Sequence, residues 1–124
     1  IIFIDSTFSY SRINDIFNAC DLYISPYLAE GFNLIVLESI SSTLPVLVPT
    51  TGSTKEYISD IYSQFPDYIL YLDSTIVESS GKYQNSYNIN DLINLLINKR
   101  QHLQNMKGRR SDNLKLSEFI NNNS

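Results

Sequence analysis

The stretch Pro45-Val46-Leu47-Val48-Pro49 limits the fold of this chain more than any other. Three apolar residues between prolines are too few for a helix, and a strand with no polar residue in alternation is covered on both faces. Such strands belong to parallel sheets sandwiched between helices. The run 1–4 (IIFI) is of the same type, while Leu22, Tyr23 and Ile24 read as a second strand that ends where Pro26 forbids ladder pairing. Residues 68–72 (YILYL) read as a fourth. Between these runs lie helical signals. Ser9 or Ser11 precedes Ile13, Ile16, Phe17 and Cys20 at one-face spacing, and Asn33 opens a helix that stops at the Leu44-Pro45 turn. Ser53 or Thr54 opens another helix reaching about Tyr62, and Asn88 or Asn90 opens one carrying Leu92, Ile93, Leu95 and Leu96, with Lys99 and Arg100 at its end favouring the dipole. The expected class is α/β, a parallel sheet flanked by helices.

Length and composition bound the rest. A chain of 124 residues holds one domain at most, with room for a real core. It begins with Ile inside a strand-like run, so it is expected to be a piece of a longer protein. With 13 acidic and 9 basic residues it is modestly acidic, which argues against a nucleic-acid partner. No apolar run approaches membrane-spanning length and no signal-peptide pattern opens the chain, so a cytoplasmic setting is expected. The one cysteine, Cys20, can form no internal disulfide and is expected in the core. His102 has no metal-ligating partner at helical spacing and reads as a surface or packing residue. Lys107, Arg109 and Arg110 around Gly108 read as a solvated helix end, and residues 121–124 (NNNS) as a frayed tail. Phe65, Tyr68 and Tyr71 read as core and edge packing, and residues 74–87 around Gly81 as a polar loop, with a lid role disfavoured.

The chemistry concentrates in residues 27–49. Asn33 is a good N-cap, so the N–H groups of Leu34, Ile35 and Val36 should face the preceding loop with the positive helix end behind them, which makes an anion site. Gly31 lets a ligand approach the backbone, and Glu30 and Glu38 flank the turn with seven residues between them. Two carboxylates would repel a bare phosphate, but they suit a diphosphate surrounded by hydroxyls, because a carboxylate accepts from vicinal sugar hydroxyls. The second strand feeds this loop from its carboxyl end, where open α/β sheets collect ligands. A second loop, with Gly52, Ser53 and Thr54, could offer hydroxyls and amides to a sugar or simply cap the next helix, where Glu56 suits the dipole. The competing reading makes Glu38, Ser41 and Ser42 the wet stripe of an amphipathic helix and Glu30 an ordinary loop carboxylate.

Glutamate, Gly-Phe-Asn-Leu, three apolar residues, glutamate, then Leu-Pro-Val and a Gly-Ser-Thr loop together resemble the C-terminal, nucleotide-sugar-binding domain of GT-B glycosyltransferases, especially the retaining family-4 group (glycosyl transferases group 1). Asn33, Ser39 to Ser41 and Thr51 depart from the commoner family pattern; the glutamate spacing does not. The resemblance implies a Rossmann-like sheet and places Glu30 by the reacting donor sugar, Glu38 on the ribose hydroxyls, and Gly31, Phe32, Asn33 and Leu34 around the diphosphate. It implies sugar transfer from a nucleotide-diphosphate donor to an acceptor hydroxyl, with retention, on a carbohydrate, lipid or protein acceptor. No cofactor and no metal are expected, since no Asp-x-Asp pair occurs and a helix N-terminus would take the metal's part. Residues 1–124 would form part of the C-terminal donor-binding domain, roughly its second half, inactive without the N-terminal acceptor domain; any membrane contact would come through parts outside this sequence. The alternative is a catalytically inactive nucleotide-sugar-binding or scaffolding module. A receiver-type signalling domain is disfavoured, because Asp5 alone does not make its acidic cluster.

Overall fold

The computed structural model describes residues 1–108 and 114–123. In chain order it contains α1 (Tyr10–Ala19), β1 (Tyr23–Ile24), α2 (Leu34–Ser41), β2 (Val46–Pro49), α3 (Lys55–Gln64), a 3-10 turn (Pro66–Tyr68), β3 (Ile69–Leu72), β4 (Thr75–Ser79), β5 (Lys82–Ser86), α4 (Ile89–Lys107) and α5 (Leu114–Asn123). The first three strands form one parallel sheet in the order β1-β2-β3, with Tyr23 opposite Val46 and Val46 opposite Ile69. The class is therefore α/β and Rossmann-like.

All four residues of β2 are buried, as its unbroken apolar run requires. Successive side chains alternate faces. Val46 and Val48 pack with Val36 and Ile40 of α2, Ile58 and Ile61 of α3, and Leu116 and Ile120 of α5. Leu47 turns the other way, to Leu70, Leu72 and the half-buried Leu92, Leu95, Leu96 and Leu103 of α4. Emptying this central position by Leu47→Ala would cost about 2–5 kcal/mol. Ser117 Oγ on α5 donates to the Ser41 carbonyl at 2.8 Å, docking α5 beside α2.

The stop after α2 is chemically defined. Thr43 takes a left-handed φ of 60°, the Thr43 N–H donates to Ile40 O at 2.8 Å, and the Leu44 N–H donates to Ser39 O at 3.0 Å. This paired bonding is a Schellman motif, with Leu44 buried against the core and Pro45 preventing any continuation.

Several expectations are corrected. Residues 1–4 are not a strand, and Ile1, Ile2 and Phe3 are almost wholly exposed. An apolar run becomes a strand only when a ladder accepts it, and β1, two residues long, pairs with β2 alone among the described residues. Ser9 caps α1 by accepting from the Arg12 N–H at 3.4 Å, but no residue of α1 is buried, and Cys20 is its half-buried C-cap rather than core. Residues 74–87 hold a hairpin, not an open loop: β4 and β5 pair antiparallel around Ser80 and Gly81, whose φ values of 52° and 75° are those of a type I′ turn. Asn88 caps α4, which continues to Lys107, so Lys99 and Arg100 lie within it. Residues 121–123 belong to α5; Arg109, Arg110 and Ser124 lie outside the described residues. Lys107 pairs with Asp21 at 3.0 Å, both well exposed, and His102 Nε2 packs onto the Asp67 carbonyl at 2.9 Å. No helix among the described residues is long and apolar enough to cross a membrane.

Candidate functional site

Parallel strands bring three loops to one edge of the sheet: residues 25–33 after β1, 50–54 after β2, and the segment from β3 into the hairpin. The first loop ends in a left-handed residue, Asn33, at φ 58° and ψ 59°. Asparagine tolerates this region better than most side chains. Its side chain does not cap α2, contrary to expectation; Nδ2 instead donates back to Ser25 Oγ at the end of β1, at 3.0 Å. The Val36 N–H is also taken, by the Asn33 carbonyl at 3.1 Å. That leaves two amides in the first turn, Leu34 and Ile35, with no acceptor among the described residues.

Tyr57 on α3 holds this turn from behind. Its hydroxyl hydrogen is shared between the carbonyls of Phe32 (3.1 Å) and Asn33 (3.2 Å), and its ring lies 5.0 Å from that of Phe32. Burial pushes the Tyr57 hydroxyl well above its ordinary pKa, with Tyr27, Glu30 and Tyr23 adding repulsion of its anion, so it remains a donor. Glu30 is thus close enough to Tyr57 to oppose its ionisation. Glu38 sits one helical turn beyond the exposed Leu34 and on the same face of α2. Both glutamates are exposed, and neither carboxylate has a hydrogen bond or ion pair among the described residues. At Gly31 an added Cβ would meet nothing within 4 Å, and its φ is not left-handed; no protein neighbour demands glycine there.

The second loop is tied to the first. Gly52 has φ 97°, and a Cβ there would lie 2.8 Å from Asn85 Nδ2 and 3.0 Å from the Tyr27 hydroxyl oxygen. Thr54 occupies the N-cap position of α3 without a side-chain cap. The Tyr27 hydroxyl holds Thr54 itself across the site, accepting from the Thr54 N–H at 3.1 Å and bonding Thr54 Oγ1 at 2.8 Å. The fully buried Thr54 hydroxyl is therefore committed to Tyr27. Ser53 Oγ is buried with no hydrogen-bond partner among the described residues, a state that costs about 1–3 kcal/mol for a hydroxyl. Behind the loop, Ser74 Oγ lies 2.7 Å from Thr51 Oγ1 and 3.2 Å from Thr50 Oγ1. Asn85 of the hairpin bonds both loops.

Sequence reasoning missed Tyr27, Tyr57, Ser74 and Asn85 as members of this site. Only Asn85 carried a usable signal: a Ser-Gly pair between two five-residue segments marks a hairpin, which would have placed it on a strand. An apolar hollow of about 230 Å³ lies behind the loop, lined by Phe32, Leu34, Leu37, Tyr57, Phe119 and Ile120 among others, and neither Glu30 nor Glu38 lines it. Among the described residues no three His, Cys, Asp or Glu side chains come together as a metal site.

The surface can accept an anion at the two free amides and hydroxyls at the flanking carboxylates. The family model for glycosyl transferases group 1 matches residues 1–67, a span that includes both glutamates, α2 and the Gly52 loop. No curated protein and no solved structure gives a significant match. With more than half of the chain matched and a parallel α/β sheet beneath the matched loops, the chain belongs to the glycosyl transferases group 1 family.

Proposed function

We propose that this chain is the donor-binding part of a larger glycosyltransferase, holding a nucleotide-diphosphate sugar at the N-terminus of α2. The observation that carries the reading is the pair of unshared amides at Leu34 and Ile35 with free carboxylates to either side. The diphosphate accepts from these amides and is favoured by the helix dipole. Glu38 accepts from the ribose hydroxyls, and Glu30 from those of the transferred sugar. Gly31 leaves the backbone open to the ligand, while Phe32 and Asn33, held by Tyr57, fix the direction of the amides.

In the reaction, the bond from the anomeric carbon to the diphosphate oxygen breaks and its electron pair leaves with the phosphate. Amides aimed at that growing negative charge stabilise it without a divalent ion. Glu30 steadies the positive charge that develops on the sugar ring, and the acceptor hydroxyl, on a carbohydrate, lipid or protein, forms the new bond with retention as its proton passes to the departing diphosphate. The acceptor side of the cleft is supplied by an N-terminal domain, and catalysis requires both walls. Glu30→Gln in the full-length protein tests this assignment. Turnover of whichever UDP-, GDP- or ADP-sugar the wild type uses should fall on the order of a hundredfold, with affinity for the bare nucleoside diphosphate nearly unchanged. Undiminished turnover would remove Glu30 from the reaction.

A further inference from the structure

The hairpin does more than pair with itself. One edge of β5 runs beside the loop leaving β1, in the opposite direction. The Tyr87 hydroxyl donates to Pro26 O at 2.8 Å, and the Asn85 N–H donates to Leu28 O at 2.7 Å. The Asn85 side chain, 1% exposed, then divides its two ends: Nδ2 donates to Tyr27 O at 3.1 Å, and Oδ1 accepts from Thr51 Oγ1 at 2.8 Å. Tyr27 and Leu28 lead directly into Glu30, whereas Thr51 precedes Gly52. One buried amide therefore spans the gap between the two loops that line the candidate site. No other common side chain of this length offers a donor at one end and an acceptor at the other.

We propose that Asn85 is a positioning residue for the donor site. By holding Tyr27 O, Leu28 O and Thr51 Oγ1 at fixed separations, it sets where the Glu30 loop stands relative to the Gly52 loop and to the free amides of α2. Its consequence for activity rests on the donor-site reading above; the coupling of the loops does not. Misplacing a reacting group by an ångström lowers rate far more than it lowers binding of distant ligand parts. Asn85 thus acts through Glu30 and touches no reacting atom.

The test uses the full-length protein carrying Asn85→Ala, Asn85→Asp, Thr51→Val or Thr51→Ser, with Gln84→Ala, which faces the other side of the hairpin, as control. Hydrogen exchange is followed on the free protein over residues 27–31 and 51–54. Asn85→Ala and Thr51→Val should each speed exchange in both segments by roughly tenfold or more, with Thr51→Ser restoring the wild-type rates and Gln84→Ala changing nothing. Asn85→Asp keeps the Thr51 acceptor but sets a charge beside the Tyr27 carbonyl, so it should loosen residues 27–31 more than residues 51–54. With the UDP-, GDP- or ADP-sugar that the wild type turns over, kcat in Thr51→Val and Asn85→Ala should fall about ten- to a hundredfold while donor KM changes little. Unchanged exchange in 27–31, or a KM effect as large as the kcat effect, overturns the positioning role. If the wild type binds none of these nucleotide sugars, the proposed function fails, and the exchange data still decide whether Asn85 couples the loops.

Discussion

Gly52→Ala is the sharpest structural perturbation this site allows, because backbone and neighbours both oppose a side chain there. The φ of 97° lies outside what an L-residue adopts readily, which costs about 1–3 kcal/mol. The added Cβ would also lie 2.8 Å from Asn85 Nδ2 and 3.0 Å from both Tyr27 Cε2 and the Tyr27 hydroxyl oxygen. Neither neighbour is a loose side-chain end: the Tyr27 hydroxyl is bonded to Thr54 at 2.8 and 3.1 Å, and Asn85 is buried between two loops. Relief must stretch at least one of these bonds, each worth roughly 0.5–1.5 kcal/mol. The expected loss is therefore about 2–4 kcal/mol, or roughly 10 °C in Tm for a domain of this size. Urea unfolding followed by far-ultraviolet circular dichroism measures it. Gly31→Ala is the internal contrast, since its Cβ meets nothing within 4 Å; stability should change by under about 0.5 kcal/mol while donor affinity falls. A Gly52→Ala protein as stable as wild type, or a Gly31→Ala protein as damaged as Gly52→Ala, would mean that the Tyr27–Asn85 packing does not require glycine at position 52.

Tyr57→Phe keeps the ring against Phe32 but removes the bond to the Phe32 and Asn33 carbonyls, so stability should drop by about 1 kcal/mol in urea titrations and nucleotide affinity should drop with it. The same residue shapes the alkaline limb of stability. An unfolded tyrosine releases its proton near 10.0 while folded Tyr57 holds on to it, so its contribution is intact below pH 10 and is lost as pH rises further; the Phe variant should show a shallower alkaline decline. Turnover by the full-length enzyme should survive EDTA, because helix amides and dipole stabilise the leaving diphosphate in this account; activity lost to the chelator and restored by magnesium or manganese would contradict it.

The sheet and the central loop–helix–turn were legible because their signals are local. Pro45 to Pro49 can be little other than a doubly covered strand, and the Leu44-Pro45 step stops α2 where the Schellman motif forms. What escaped was set by distant partners. Asn33 looks like an N-cap from its neighbours, but Ser25, eight residues back, takes its amide, and the left-handed backbone turns the carbonyls toward Tyr57. Tyr27 and Thr54 are 27 positions apart and Tyr27 and Asn85 are 58, separations that no periodicity encodes. The run 1–4 failed for the opposite reason: strand-like residues without a ladder to join. α5 was overlooked because its Asn-rich end masked Leu116, Phe119 and Ile120, which do carry helical spacing and do reach the core.

Glu38 distinguishes an α2 N-terminus that reads a nucleotide from a merely wet helix face. Isothermal calorimetry of the full-length protein with UDP, GDP and ADP, comparing wild type with Glu38→Gln, measures the difference directly. If Glu38 accepts from ribose hydroxyls, the variant loses charge-assisted bonds and affinity for the preferred nucleotide should fall by on the order of 1.5–3 kcal/mol, tenfold to somewhat over a hundredfold, with folding stability unchanged. Equal affinity in the two proteins would contradict the assignment and return Glu38 to the solvent-facing stripe of the helix.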